Sequence, residues 1–252
     1  MDAIVSSAGR RRIAVIGAGI SGLSCAWALS RAHDVTLFEA LPRLGGHSHT
    51  VEVEGTKIDT GFIVYNEPAY PNLTALFAHL GVETRATDMS FSVSLREGGL
   101  EYAGTDLRGL FAQPANALRP RFWSMLRGIL RFYKRAPGDA AALAGVSLGD
   151  YLRHGGYSEA FLQDHLYPMI AAVWSCPAGA AGDLPAAAFI RFCENHGLLK
   201  LTGRPVWRSV AGGSQAYVAK LRAAFAGKVR AGQKVARLRR LPGGVALRLA
   251  DG

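Results

Sequence analysis

Along the chain the apolar positions change period several times. Ile13–Ile16 (IAVI) is a short unbroken apolar run, the pattern of a parallel strand buried on both faces. Ser21–Ser30 (SGLSCAWALS) reads as a helix, and Asp34–Phe38 (DVTLF) as a second strand. Val51 and Val53 alternate with polar residues ahead of a Glu54-Gly55 turn, which predicts a hairpin over Thr50–Asp59. Asn72–Leu80 has helical spacing, with Asn72 as N-cap and Gly81 as the stop. Phe91–Leu95 and Leu100–Ala103 read as strands joined at Glu97-Gly98-Gly99.

From Arg119 the period becomes helical. Arg121–Arg135 (RFWSMLRGILRFYKR) sets Phe122, Leu126, Ile129, Leu130 and Tyr133 on one face and its cations elsewhere. An Ala/Gly-rich connection over 136–145 leads to helices near Leu148–Arg153 and Ser158–Ala172, and another after Pro185. Ala211-Gly212-Gly213-Ser214 then precedes a helix over Gln215–Ala226. Strands Lys234–Leu238 and Val245–Leu249 follow, split by Pro242-Gly243-Gly244.

The link between the first strand and helix carries candidate chemistry. Gly17, Gly19 and Gly22 form G-x-G-x-x-G: the first allows a tight turn, the second lets a pyrophosphate approach the backbone, and the third lets helix and sheet pack closely. The free N–H groups of the helix start favour an anion. Glu39, directly after the second strand, is placed to accept hydrogen bonds from a ribose. The three arginines in front, Arg10–Arg12, imitate an export signal, but glycines inside the apolar stretch fit that reading poorly. The element order predicts an α/β protein: a Rossmann-type dinucleotide-binding domain (1–66, resuming at 206–252) interrupted by a mostly helical α+β domain (67–205).

At 252 residues the chain can bury a sizeable core, and no apolar stretch is long enough to span a bilayer. Cys25, Cys176 and Cys193 are odd in number and widely spaced, which argues for a reducing, cytoplasmic location with each thiol as a small buried residue. The net charge of +10 gathers in Arg119–Arg135 and Lys228–Arg240. No nucleic-acid module accompanies these blocks, so they read as solvated surface, and no nucleic-acid partner is expected. The helix Arg121–Arg135 has a second reading, peripheral contact with anionic lipid at the inner membrane surface. His47 and His49 offer two imidazoles with no third ligand nearby, so no metal is expected there, and His196 reads as a structural histidine.

Eight separate stretches, IAVIGAGISGLSCAWAL, LFEALPRLGGHSHTV, IDTGFIVYN, PNLTALFAHLGVET, DMSFSV, LRPRFW, RFCENHGLL and WRSVAGGSQAYV, give the chain a resemblance to the flavin-dependent amine oxidase and phytoene desaturase superfamily. Within it they are most similar to a bacterial branch of NAD/FAD-binding proteins associated with cyclopropane fatty-acid synthesis. The resemblance implies FAD as the resident dinucleotide. It places Gly17, Ala18, Gly19, Ser21 and Gly22 on the pyrophosphate and Glu39, followed by Ala40, at the adenosine ribose. Arg43, Gly45 and Gly46 come near ribose and phosphates. His47 and Gly61, Phe62, Ile63 and Val64 run towards the isoalloxazine, and Val235 meets the adenine. The implied activity is hydride transfer from an apolar, lipid-like small molecule to the flavin, with the inserted domain as substrate wall and Tyr65 and Trp207 as pocket residues. A flavin-dependent isomerase or mutase, and a cofactor-binding module without turnover, are the alternatives, and no catalytic side chain is assigned. Members of the superfamily continue beyond the position of Leu249-Ala250-Asp251-Gly252, so a C-terminally truncated form is expected.

Overall fold

A computed structural model describes residues 9–175 and 177–250; Cys176 and Asp251-Gly252 lie outside the described residues. The chain divides into two compact units. The first holds the residues up to Tyr65, Tyr70–Thr87, and those from Trp207 onward; the second holds Asn66–Ala69 and Asp88–Val206. The boundary expected at residue 67 is therefore corrected. Residues 70–87 go with the first unit because Phe77 joins its buried core, and strand 84–87 pairs with strand 207–210.

In the first unit, β1 (Arg12–Ile16), β2 (Asp34–Phe38) and β10 (Lys228–Arg230) form a parallel sheet of order β1-β2-β10, with Arg12 opposite Asp34 and Lys228 opposite Thr36. Helix α1 (Ile20–Ser30) connects the first two strands. Val35 and Leu37 of β2 are buried with Leu23 and Ala26 of α1 and with Val218 and Leu221 of α9 (Gln215–Ala224). The expectation that β1 is buried on both sides is corrected: its residues alternate between half-buried and exposed, and Ile16 is 49% exposed. Only the face bearing Ile13 and Val15 packs on the core.

The predicted hairpin is β3 (Thr50–Val53) with β4 (Thr56–Asp59), in register Thr50 to Asp59. Short strands β5 (Tyr65–Asn66), β6 (Thr84–Thr87) and β9 (Trp207–Val210) make a further sheet of order β5-β9-β6. Between β5 and β6 runs α2 (Pro71–Leu80), which starts one residue before the expected Asn72 cap because Pro71 occupies its first turn. It stops at left-handed Gly81 as predicted. Near the chain's end, β11 (Val235–Leu241) and β12 (Gly244–Leu249) form an antiparallel hairpin.

The second unit carries the hairpin β7 (Ser92–Leu95) and β8 (Leu100–Ala103), then α3 (Leu107–Leu110), α4 (Pro120–Asp139), α5 (Leu148–His154), α6 (Glu159–Phe161), α7 (Tyr167–Trp174) and α8 (Ala186–Asn195). α4 continues through Pro137 into the stretch read as a connection. Its buried stripe is Phe122, Met125, Ile129, Phe132 and Ala136. Leu126 and Tyr133 are half-buried, and Leu130, expected in the stripe, is 51% exposed, roughly opposite Met125 and Phe132 on the helical wheel. The helix expected at 158–172 is a continuous path through α6 and α7, widened in the middle into a π turn, Leu162–Leu166. There Asp164, whose side chain is 1% exposed, receives Arg96 Nη2 at 2.5 Å and Arg121 Nε and Nη2 at 2.6 and 3.0 Å. Next to it, His165 Nδ1 meets Tyr102 Oη at 2.9 Å, and burial pushes the imidazole pKa down to about 4. Cys193 is buried, which pushes its thiol up to about 12, whereas Cys25 is exposed on α1 and departs from the buried reading.

Candidate functional site

The bend between β1 and α1 is made of backbone. Gly17 adopts φ +93°, a conformation L side chains rarely reach, and its N–H donates to Phe38 O at 2.7 Å, fastening the turn to the end of β2. Helix α1 begins at Gly19 with no capping side chain and no acidic residue in its first turn. Its first internal bond runs from Leu23 N–H to Gly19 O, so the N–H groups of Ile20, Ser21 and Gly22 find no acceptor within the helix. A Cβ on Gly19 would meet nothing within 4 Å. One on Gly22 would stand 1.9 Å from Gly17 O. One glycine keeps a surface clear and the other lets helix and strand touch, the division of roles the motif requires.

Glu39 closes this bend. Its Oε2 accepts from Ala18 N–H at 2.6 Å and its Oε1 from Leu41 N–H at 2.9 Å, so the carboxylate stands beside the glycine turn although it lies more than twenty residues along the chain. Behind it, Glu39 N–H donates to Arg230 O, and Gln233 and Gly232 donate to the carbonyls of Glu39 and Leu41. These bonds hold the run leading to half-buried Val235 against the end of β2; Ala40 lies within the same stretch, exposed.

The R-x-G-G loop lies against the same bend. Gly45 N–H donates to Ala18 O at 2.8 Å, and a Cβ on Gly46 would stand 3.0 Å from Gly19 Cα. Arg43 turns back on its own loop, with Nη1 donating to Gly46 O at 2.9 Å. Further on, Phe62 N–H donates to His47 O at 3.0 Å, and a Cβ on Gly61 would fall 2.3 Å from that oxygen. Two segments the sequence assigned to one site thus run side by side. His47 and Gly61 are exposed, Ile63 is 55% exposed, and Phe62 and Val64 are partly covered. His49 is turned to Thr60, its Nδ1 2.9 Å from Thr60 Oγ1.

Tyr65 and Trp207 lie on neighbouring strands, β5 and β9, of the first unit's short sheet. Tyr65 is 2% exposed, packed edge-on to Phe77 and Tyr70 and stacked near Phe62, so it is a core ring of the first unit. Trp207 is half-buried at the start of β9, opposite Thr87.

A polar knot beneath the loop was missed by the sequence reading. Asp59 Oδ1 accepts from Thr50 Oγ1 (2.6 Å), Ser214 N (2.8 Å) and Ser214 Oγ (2.7 Å), while Gln215 N–H donates to Thr50 Oγ1 at 3.0 Å and the Gln215 side chain holds Ser48 O. Ser48 Oγ also meets Tyr217 Oη. Together these groups clamp the loop 44–50 to the start of α9. The signal was present in the I-D-T-G and G-G-S-Q stretches, but the first reads only as the end of a hairpin and the second as the lead-in to a helix.

Residues 20–252 match the model of the flavin containing amine oxidoreductases. The chain belongs to that family. Another amine oxidoreductase-like sequence, a Mycobacterium tuberculosis protein named as a flavin-containing monoamine oxidase, is 32% identical over 189 residues, covering 71% of this chain and 40% of the relative. Among solved structures, putrescine oxidase bound to putrescine superposes with a TM-score of 0.69 at 21% identity, over 96% of this chain and 55% of that one. A fatty acid isomerase from P. acnes superposes with a TM-score of 0.62 at 20% identity, over 98% and 57%. The amine oxidoreductase chain described here therefore spans about half the length of the solved proteins it matches and less of the curated one. The cofactor of this family is FAD. The bare start of α1, the clear surface over Gly19 and the carboxylate at Ala18 suit a diphosphate with an adjoining sugar. No helix among the described residues is long and apolar enough to cross a membrane.

Proposed function

We propose that this chain carries the FAD-binding part of an oxidoreductase acting on a small molecule of apolar, lipid-like character. The observation that supports it best is Glu39: its carboxylate reaches the glycine bend at 2.6 Å, beside helix N–H groups that have no acceptor within α1. In this reading Gly17, Ala18, Gly19, Ser21 and Gly22 line the pyrophosphate: the N–H groups of Ser21 and Gly22, which have no acceptor within α1, donate to it, and Gly17, Ala18 and Gly19 shape the bend it rests on. Glu39, with its neighbour Ala40, takes the adenosine ribose. Arg43, Gly45 and Gly46 shape the loop above it, and Val235 lies toward the adenine. His47 and the Gly61–Val64 strip offer backbone and apolar surface for the ring system. When bound, the flavin supplies hydride acceptance. The chain's own residues supply position, exclusion of water and a fixed field of peptide dipoles.

The experiment is reconstitution with FAD. The parent is expected to gain a bound flavin spectrum, and Glu39→Ala to weaken binding by about tenfold to a hundredfold, the scale of one lost charge-assisted contact pair. Equal binding by both proteins would sink this assignment. Anaerobic bleaching of the bound flavin by candidate amines and unsaturated lipids then selects the substrate class. A second reading is an isomerase, in which the hydride returns to the same substrate; the likeness to a fatty acid isomerase supports keeping it. Consumption of an electron acceptor during turnover argues for the oxidoreductase, and its absence for the isomerase. A location at a membrane surface suits either substrate class.

A further inference from the structure

The surface of the second unit between α3 and the middle of α4 gathers exposed apolar side chains. Leu107, at the start of α3, is 74% exposed, and Leu118, on the 3-10 turn before α4, is 87% exposed. Trp123 and Leu130 on α4 are 47% and 51% exposed. The two turns are joined by short contacts: Trp123 Nε1 donates to Ala117 O at 2.8 Å, and the Trp123 ring packs 6.1 Å from Phe111, at the end of α3. Along α4 the residues Trp123, Arg127, Leu130 and Lys134 recur at four-, three- and four-residue steps, which puts them on one strip opposite the buried stripe of Met125 and Phe132. The strip alternates apolar and cationic, so the cations can extend upward while the rings and branched chains point down.

Along the segment that carries it, the charge has one sign. Arg108, Arg119, Arg121, Arg127, Arg131, Lys134 and Arg135 lie between Leu107 and Gly138, and no carboxylate does. Three acids beside this segment already have partners within it or beneath it. Asp106 caps α3 through Gly109 N–H, Asp164 is buried under Arg96 and Arg121, and Asp139 pairs with Arg135. Exposed leucines on tight turns, an aromatic beside them and a rim of cations fit a flat anionic bilayer, where apolar tips enter the acyl boundary and the cations meet headgroups. A protein partner of ordinary kind would instead meet a depleted-lysine, concave or flat apolar centre.

We infer that the Leu107–Leu118–Trp123 tip, continued along the outer face of α4, is a docking surface for anionic lipid bilayers. It gives a definite place to the membrane location named above, yet it does not depend on FAD binding, and vesicle binding and flavin reconstitution are read separately. The test uses the whole chain with vesicles of phosphatidylcholine alone or of phosphatidylcholine and phosphatidylglycerol in equal parts. Cosedimentation is expected with the anionic vesicles and not with the neutral ones, falling as salt rises. Leu107→Ser with Leu118→Ser is expected to lower the partition by about tenfold or more, since both side chains are exposed and contribute little to the fold. Arg108→Gln, Arg127→Gln and Lys134→Gln together are expected to flatten the salt dependence. With bromine-labelled acyl chains, tryptophan fluorescence is quenched in the parent and not in Trp123→Phe. Binding indifferent to lipid charge, a partition unmoved by the leucine changes, or unchanged quenching in Trp123→Phe would each overturn the inference. So would self-association without lipid that the leucine changes abolish, which would assign the surface to a second copy.

Discussion

Gly19 and Gly22 stand three residues apart at the same bend, and the structure separates their roles. At Gly22 an added Cβ falls 1.9 Å from Gly17 O and 3.0 Å from Gly17 C, both backbone atoms that no rotamer change can move. Relief requires α1 to slide off β1 by more than ~1 Å, since ordinary contacts between heavy atoms sit near ~3.5 Å. Overpacking of this kind costs about 3 kcal/mol or more, which in a chain of this size lowers the midpoint of thermal unfolding by roughly 6–12 °C. At Gly19 the backbone is already in a region open to any residue, φ −64° and ψ 174°, and the Cβ meets nothing within 4 Å. Gly19→Ala is therefore expected to change stability by less than about 1 kcal/mol. It fills the clear surface over which the pyrophosphate is proposed to ride, so FAD affinity falls by about a hundredfold, or ~2.7 kcal/mol. Thermal unfolding followed by circular dichroism and flavin titration by fluorescence read the two quantities on the same samples. A Gly19→Ala protein that is stable and binds FAD like the parent would refute the cradle. A Gly22→Ala protein as stable as the parent would refute the packing argument behind it.

Further expectations concern the groups that hold the loops. Asp59→Ala leaves Ser214 N–H and two hydroxyls without their shared acceptor, and urea unfolding is expected to show a loss of about 1–3 kcal/mol. Asp164→Ala is expected to cost about 2–3 kcal/mol, below the value for a fully buried pair because both arginines are half-exposed and regain water. Arg96→Ala is expected to cost less than Arg121→Ala, which removes two of the three bonds to that carboxylate; denaturant midpoints rank the three variants. Burial lowers the His165 pKa from 6.5 to about 4, so the unfolded chain takes up a proton in that interval before the folded one does. The stability from the neutral imidazole is complete above the unfolded pKa and is lost as pH falls through about 4, a change on the order of 3 kcal/mol. The difference in unfolding free energy between the parent and His165→Asn, followed from neutral pH to pH 4, should shrink by that amount; a constant difference would show that His165 is not held neutral.

The cradle was readable from sequence because its parts are local. Strand, glycine turn, helix, strand and acid follow one another within thirty residues, and each has a fixed steric or electrostatic reason. The Asp59 knot was not readable, because the bonds that close it join residues more than 150 positions apart and use Thr, Ser and Gln, which serve equally well in ordinary turns. Short strands β5, β6, β9 and β10 escaped notice for a related reason: two to four residues carry too little periodicity to register without their partners. On α4 the sequence located the helix but turned it slightly. Helical spacing sets Leu130 on the face of Leu126 and Ile129, whereas Met125 and Phe132 take the buried side and leave Leu130 outside. The burial of Tyr65 was not legible either: it comes from the rings of Phe62, Tyr70 and Phe77, which fold around it in space.

The wide turn at Leu162–Leu166 sets a constraint on chain length there. An ordinary helix turns about 100° per residue, and the wide turn inserts one extra residue into that coil. The added width lets one neighbour serve the arginines while the next lies along Tyr102 and Phe161. Removing a single residue here would restore the tighter coil and leave Tyr167 onward facing as before, because the five residues of the wide turn cover nearly the rotation of four in an ordinary helix. What such a deletion takes away is a position: one residue would then stand where Asp164 receives the arginines and His165 meets Tyr102.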